Sequence, residues 1–119
     1  MTCIVSGGLD LLANHIGEEC GIDKVISNGL TADDNGRLLG EGILRVELRD
    51  KASALSALIH EFEIEPERCV AIGNSWVDIS MFNVAGFGIA FNPIDAQTIT
   101  AADVVVESDD LRDILKYLE

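Results

Sequence analysis

Short apolar runs rich in β-branched and small residues recur along the chain at 2–6 (Thr-Cys-Ile-Val-Ser), 24–28, 69–73 (Cys-Val-Ala-Ile-Gly), 87–91 and 103–107. They are continuous rather than alternating, the pattern of parallel strands covered on both faces. Between them the apolar spacing lengthens to that of a helix. Leu9, Leu12, Ala13 and Ile16 predict one helix, and Leu55, Leu58, Ile59 and Phe62 predict a second, with Asp50 as its N-cap. Met81, Phe82 and Ala85 mark a third. A short fourth opens with Asn92 as cap and Pro93 at its first position, where a missing N–H costs nothing, and a fifth runs from Ser108 through Leu111, Ile114, Leu115 and Leu118. Residues 29–48 break the alternation and read as a β-hairpin excursion with Asp34-Asn35-Gly36 at its turn.

The order β-α-β, hairpin, α-β-α-β-α-β-α predicts an α/β fold of the three-layer Rossmann-like kind with a mostly parallel sheet. At 119 residues one domain, 1–119, is expected. Its composition, 48% hydrophobic but only 5% aromatic, suits an aliphatic α/β interior. No apolar run approaches the roughly 20 residues that span a bilayer, so no membrane partner is expected. Twenty-one acidic against eight basic residues give a formal charge of −13, which repels nucleic acid and anionic lipid and is otherwise explained by solvated helix faces. Cys3, Cys20 and Cys69 are odd in number, lie in apolar runs and form no Cys-x-x-Cys pair. They read as reduced core residues of a cytoplasmic protein, and no secretory signal opens the chain.

Open parallel sheets bind ligands at the carboxyl ends of their strands. Here those ends carry Ser6-Gly7-Gly8, Asn28-Gly29, Gly73-Asn74-Ser75 and Asn92-Pro93. Ser6-Gly7-Gly8 is either an anion cradle at a helix start or a Ser N-cap followed by a tight turn. Lys51 falls at a helix start, where its charge opposes the helix dipole, an unfavourable placement unless an anion lies nearby. Asp78, in the first turn after Gly73-Asn74, is either a helix-start carboxylate or a metal-site residue. Trp76 reads as packing at the strand–helix junction, with an exposed binding role left open. His15 and His60 have no partners at metal-ligand spacing and receive no role.

Taken in order, Ile4-Val-Ser-Gly-Gly-Leu-Asp10, Lys51 ahead of an amphipathic helix, AIGNSWVDISMFNVAGFGIAFNP at 71–93, AADVVVES at 101–108 and DLRDILKYLE at 110–119 resemble the haloacid dehalogenase superfamily, and within it the phosphoserine phosphatases. The resemblance covers essentially the whole chain and includes Asn28 and the hairpin excursion. It implies a phosphomonoesterase core in which an aspartate attacks the phosphoryl group, a second aspartate two residues on acts as general acid/base, and Mg²⁺ and a lysine offset the developing charge. Carried over residue by residue, Ser6, Gly7 and Gly8 are the phosphate contacts with Asn28 beside them, and Lys51 is the lysine that steadies phosphate. Asn74 and Asp78 are the metal motif.

Three departures qualify that expectation. No two aspartates of the chain lie two residues apart, so neither the family's nucleophile nor its acid/base is found here, and the substrate-enclosing cap has no counterpart. Asn74 stands where the family carries a metal-ligating aspartate, and an amide oxygen brings no charge to a hard cation. Val77 stands where phosphoserine phosphatases carry a polar Asn. The expectation is therefore a truncated phosphatase-like domain, catalytically impaired alone, with weak or lost Mg²⁺ binding and a capacity for phosphate or a phosphorylated small molecule. The alternatives are a hydrolase completed by another chain, and a homodimeric interaction module without a small ligand. Without the family's first strand, the strand order 2-1-3-4-5 is expected, with an apolar patch covered by a second copy or another chain.

Overall fold

The computed structural model describes all 119 residues. The single domain expected from length resolves into two compact units, 1–48 and 49–119.

In the first unit, β1 (Cys3–Leu9) pairs in parallel with β2 (Lys24–Ala32), from Cys3 opposite Lys24 to Ser6 opposite Ser27. The register breaks between Ser6 and Leu9, so Gly7-Gly8 forms a bulge that bends the strand before α1 (Asp10–Cys20) begins. Beyond its parallel half, β2 continues into the hairpin, pairing antiparallel with β3 (Leu38–Ile43). The turn expected at Asp34-Asn35-Gly36 is present, held by Asp33, whose carboxylate accepts from the N–H groups of Asn35 and Arg37 at 2.9 Å. Because β2 runs unbroken to Ala32, Asn28 lies inside a strand rather than at its carboxyl end.

The apolar stripe expected to seat α1 does not face a core. Leu9, Leu12 and Ile16 are exposed, and the helix buries its small residues Ala13 and Gly17 instead. A Cβ on Gly17 would sit 2.6 Å from Val25 Cγ2, so it is close approach to β2 that selects the small face. The leucines of α1 therefore stay in solvent, Leu11 being 75% exposed. Two of the three cysteines read as core residues, Cys3 and Cys20, are exposed, and Cys69 is half-buried; all three are free thiols.

In the second unit, β4 (Val70–Gly73), β5 (Phe87–Phe91) and β6 (Val104–Val106) form a parallel sheet in that order. Ile89, Val106 and Ile114 make its core, flanked by Phe87, Phe91, Val104 and Tyr117. α2 (Lys51–Glu61) packs on α3 (Ile79–Val84), and Asp50 caps α2 as expected, accepting from Ser53 N–H. The fourth helix is displaced from its expected start: α4 is Ala96–Ala101, capped by Asp95 rather than Asn92. Asn92 adopts φ of +46°, a conformation that Asn tolerates, and its side chain clamps the backbone of Ser108 from both sides. The final segment, Leu111–Tyr117, winds as 3₁₀ turns behind an Asp110 cap. Of the expected strand order, the parallel pairing of β1 with β2 and the run β4-β5-β6 are present. β1-β2-β3 and β4-β5-β6 are separate hydrogen-bonded sheets, and β4, at the end of its sheet, has β5 as its only ladder partner.

Asn28 holds the first unit together through its amide. Its Nδ2 donates to the carbonyls of Gly7 and Val46 at 3.2 and 3.1 Å, and its Oδ1 accepts from the N–H groups of Arg45 and Val46 at 2.8 Å. Removing it strands four backbone groups, so Asn28→Ala is expected to cost about 2–4 kcal/mol in urea denaturation.

Candidate functional site

Chemistry concentrates where β4 ends. Gly73 leads into a loop in which Ser75 caps a 3₁₀ turn, Trp76–Asp78. Ser75 and Asp78 form a reciprocal capping box, a Ser-x-x-Asp pattern that the sequence displays openly. The backbone of Gly73 and the side chain of Asp78 lie so close that a Cβ on Gly73 would sit 2.3 Å from Asp78 Cβ, so only glycine fits.

Asp78 is buried and satisfied on both oxygens. Its Oδ1 accepts from Lys51 Nζ at 2.7 Å, and its Oδ2 accepts from the N–H groups of Asn74 and Ser75 at 2.9 and 3.3 Å. The Lys51 and Asp78 side chains are 10% and 7% exposed. This resolves the oddity of a lysine at a helix start: its charge meets a carboxylate that outweighs the dipole. α2 begins where Lys51 reaches Asp78, and Ser80 Oγ accepts from Ala52 N–H at 3.1 Å, adding a second tie between the two segments.

The loop is also held from the far side by a residue that the sequence reading did not single out. Asp95 Oδ2 accepts from Trp76 N–H at 2.9 Å, while Asp95 Oδ1 accepts from Thr98 N–H and Oγ1 at 2.8 and 2.7 Å. The Thr98 hydroxyl and amide, with the Trp76 amide, hold the Asp95 carboxyl below the usual carboxylate range. The signal in the sequence is Asp-x-x-Thr at 95–98, a cap pattern as local as Asn92-Pro93.

Lys51, Asp78 and the backbone of Asn74 are thus brought together, with the Asn74 side chain exposed to solvent. Ser6, Gly7, Gly8 and Asn28 belong to the first unit. Ser6 is not the N-cap of α1: Leu9 holds that position without a side-chain bond, and Ser6 Oγ accepts from Gly8 N–H at 3.0 Å within the bulge. The Ser N-cap alternative is therefore replaced by a bulge at Gly7-Gly8, ahead of the helix. Both amide hydrogens of Asn28 are used on the backbone, so its place in the fold is that of a clamp on Gly7 and Val46. Arg45 lies close by, paired with Asp10 at 2.8 Å and donating to the Ser27 carbonyl. The hydroxyl of Ser27, directly opposite Ser6, is buried without a protein partner.

As a seat for Mg²⁺ the loop is a poor fit. Asp78 is neutralised by Lys51 and hydrogen-bonded on both oxygens, Asn74 offers only a neutral amide oxygen, and no three His, Cys, Asp or Glu side chains cluster anywhere in the chain. What the arrangement does offer is a lysine ammonium and a rigid loop at the carboxyl end of a parallel sheet, suited to an anionic ligand. The lysine–aspartate pair thus stands behind a Gly-Asn-Ser loop in a parallel α/β unit.

Known proteins place it further. Residues 1–83 match the model of the haloacid dehalogenase-like hydrolases, and the chain belongs to that family. It is 38% identical over 122 aligned positions to the phosphoserine phosphatase of Methanocaldococcus jannaschii, covering 100% of this chain and 56% of that protein. It is 37% identical to the phosphoserine phosphatase of Idiomarina loihiensis, covering 99% and 53%. Among solved structures, a phosphoserine phosphatase in apo form superposes with a TM-score of 0.88 at 37% identity, covering 98% of this chain and 58% of that one. The chain spans about half the length of these relatives. No helix is long and apolar enough to cross a membrane.

Two outcomes follow from the geometry. Lys51→Met, which strands a buried carboxylate, is expected to destabilise the protein by about 3–5 kcal/mol, measured by chemical denaturation at neutral pH. The Asp95 carboxyl is lowered in the fold, so its stabilisation is complete above its ordinary value of 3.8 and declines as pH falls below that. It is lost once pH has dropped through the lowered folded value. Emission from Trp76 should therefore hold steady in an acid titration to below pH 3.8 before shifting, and Asp95→Ala should show the shifted spectrum already at pH 7.

Proposed function

We propose that this chain is a phosphatase-like domain that holds phosphate or a phosphorylated small molecule through Lys51 and the Gly73–Asp78 loop, and that it does not turn substrate over by itself. The buried Lys51–Asp78 pair at the end of β4 carries this reading, because a family core of this kind places its phosphate-steadying cation there. Within the first unit, Ser6 and Gly7, with Asn28 clamping Gly7, are the residues that the family resemblance assigns to phosphate. Impairment is inferred from three features: no Asp-x-Asp pair in the chain, Asn74 in place of a carboxylate, and apolar Val77 in place of a polar residue. Each removes charge or a hydrogen bond from a reaction that depends on both. Any Mg²⁺ held by Asn74 and Asp78 is bound weakly. The three free cysteines fit a reducing compartment such as the cytoplasm.

A second reading has its own support. β4 is a parallel strand with one ladder partner, and Val70 and Ile72 on it are both 39% exposed, where a parallel strand is ordinarily covered. That edge suits a further strand from another polypeptide, which would supply the missing carboxylates and complete a phosphomonoesterase. Covering the same apolar surface by a second copy of the chain is the corresponding homodimer.

The deciding experiment is hydrolysis of O-phosphoserine and an aryl phosphate by the purified chain with Mg²⁺, beside an Asn74→Asp variant. No turnover by either protein is expected, together with binding of inorganic phosphate that weakens at least about tenfold in Lys51→Ala, the size of one charge-assisted contact. Turnover abolished by Lys51→Ala would overturn the impairment.

A further inference from the structure

The polar half of the Gly73–Asp78 loop has a role in the reading above; its apolar half does not. Trp76, the only tryptophan in the chain, sits inside this loop and is 49% exposed. Ile94, on the loop after β5, is 74% exposed. Both are fixed through the backbone, since Trp76 N–H donates to Asp95 Oδ2 and Ile94 N–H donates to the Asn74 carbonyl, each at 2.9 Å. Asp95 is itself locked by Thr98. Two loops are thus stitched together at the carboxyl end of the parallel sheet, one of them carrying Asp78, and each has a large apolar side chain exposed to solvent.

A backbone pinned on both sides of an exposed indole gives a rigid stacking platform with little ordering left to lose on binding. We propose that Trp76, with Ile94, is the specificity surface of this site and takes the flat apolar group of an aromatic phosphomonoester. The inference rests on the reading of Lys51 and its loop as the phosphate-holding element. An amino-acid phosphate fits this rim poorly. Its ammonium and carboxylate would lie against two apolar side chains, and the Asp95 carboxylate next to Ile94 in sequence is already engaged with Trp76 and Thr98. An aromatic ring instead covers the indole and displaces water from it.

The test is calorimetric titration of the full chain with phenyl phosphate, O-phosphoserine and inorganic phosphate. Phenyl phosphate is expected to bind about tenfold more tightly than the other two, the size of one stacking contact, and to shift the Trp76 emission. Trp76→Ala is expected to bring the ratio of phenyl phosphate to inorganic phosphate affinity to about one, and Trp76→Phe to restore most of it, as a stacking role requires. Circular dichroism of both variants checks that they fold. A ratio near one in the unaltered chain, or a preference that survives Trp76→Ala, overturns the inference while leaving the phosphate site standing. Failure of inorganic phosphate to bind, or binding indifferent to Lys51→Ala, overturns the phosphate site and the inference together.

Discussion

A single buried carboxylate organises the second unit. Asp78 meets Lys51 with one oxygen and the amides of Asn74 and Ser75 with the other, so the start of α2, the end of β4 and the loop between β4 and α3 all converge on it. An ion pair this far from water is only worth having when its remaining hydrogen-bonding capacity is filled, because desolvation of both charges otherwise outweighs their attraction. Here the backbone amides fill it. The same constraint dictates Gly73, since no side chain fits between that backbone and the carboxylate. It also explains why a lysine tolerates the positive end of a helix.

The chain belongs to the haloacid dehalogenase-like hydrolases, and this loop is where it departs from the pattern its sequence resembles. Asn74 keeps its backbone role, donating its N–H to Asp78 and accepting from Ile94 N–H at its carbonyl, while its side chain is exposed to solvent as a neutral amide. The loop therefore retains shape with less negative charge around it. Retained geometry with reduced charge favours holding an anion over assembling a divalent cation. Trp76 adds to that shape an aromatic surface whose backbone is anchored by Asp95.

The first unit depends on a different kind of constraint, the saturation of one side-chain amide. Asn28 uses both donors and both acceptor positions on the backbone of Gly7, Arg45 and Val46, tying the bulge of β1 to the chain that leaves the hairpin. Its neighbour Gly29 lies so near the Asp10–Arg45 pair that a Cβ would fall 2.7 Å from the Asp10 carboxylate. Local packing is thus dense around the bulge and sparse over α1, whose leucines remain in solvent.

Periodicity and local chemistry along the chain were enough to give the α/β class, the parallel strands, the hairpin turn at Asp34-Asn35-Gly36 and the Asp50 cap, because each depends on residues within a few positions of one another. The placement of Lys51 as an anion-facing lysine was legible too, from its conflict with the helix dipole. What periodicity left open was decided by contacts distant in sequence. Lys51 and Asp78 are 27 residues apart, and only the packing of α2 on α3 brings them to 2.7 Å. Asn28 looked like a strand end with a free amide because nothing local shows that Val46 and Gly7 will occupy it. Asn92-Pro93 and Asp95 both carry cap chemistry, and the choice fell to Asp95 once Asn74 had taken the Ile94 amide and Ser108 the Asn92 side chain. Apolar spacing on α1 marked a face of leucines, yet close approach to Val25 selected Ala13 and Gly17. Local preference sets which elements form; which face they bury and which polar groups they consume is settled by close packing and by the need to pair every buried donor and acceptor.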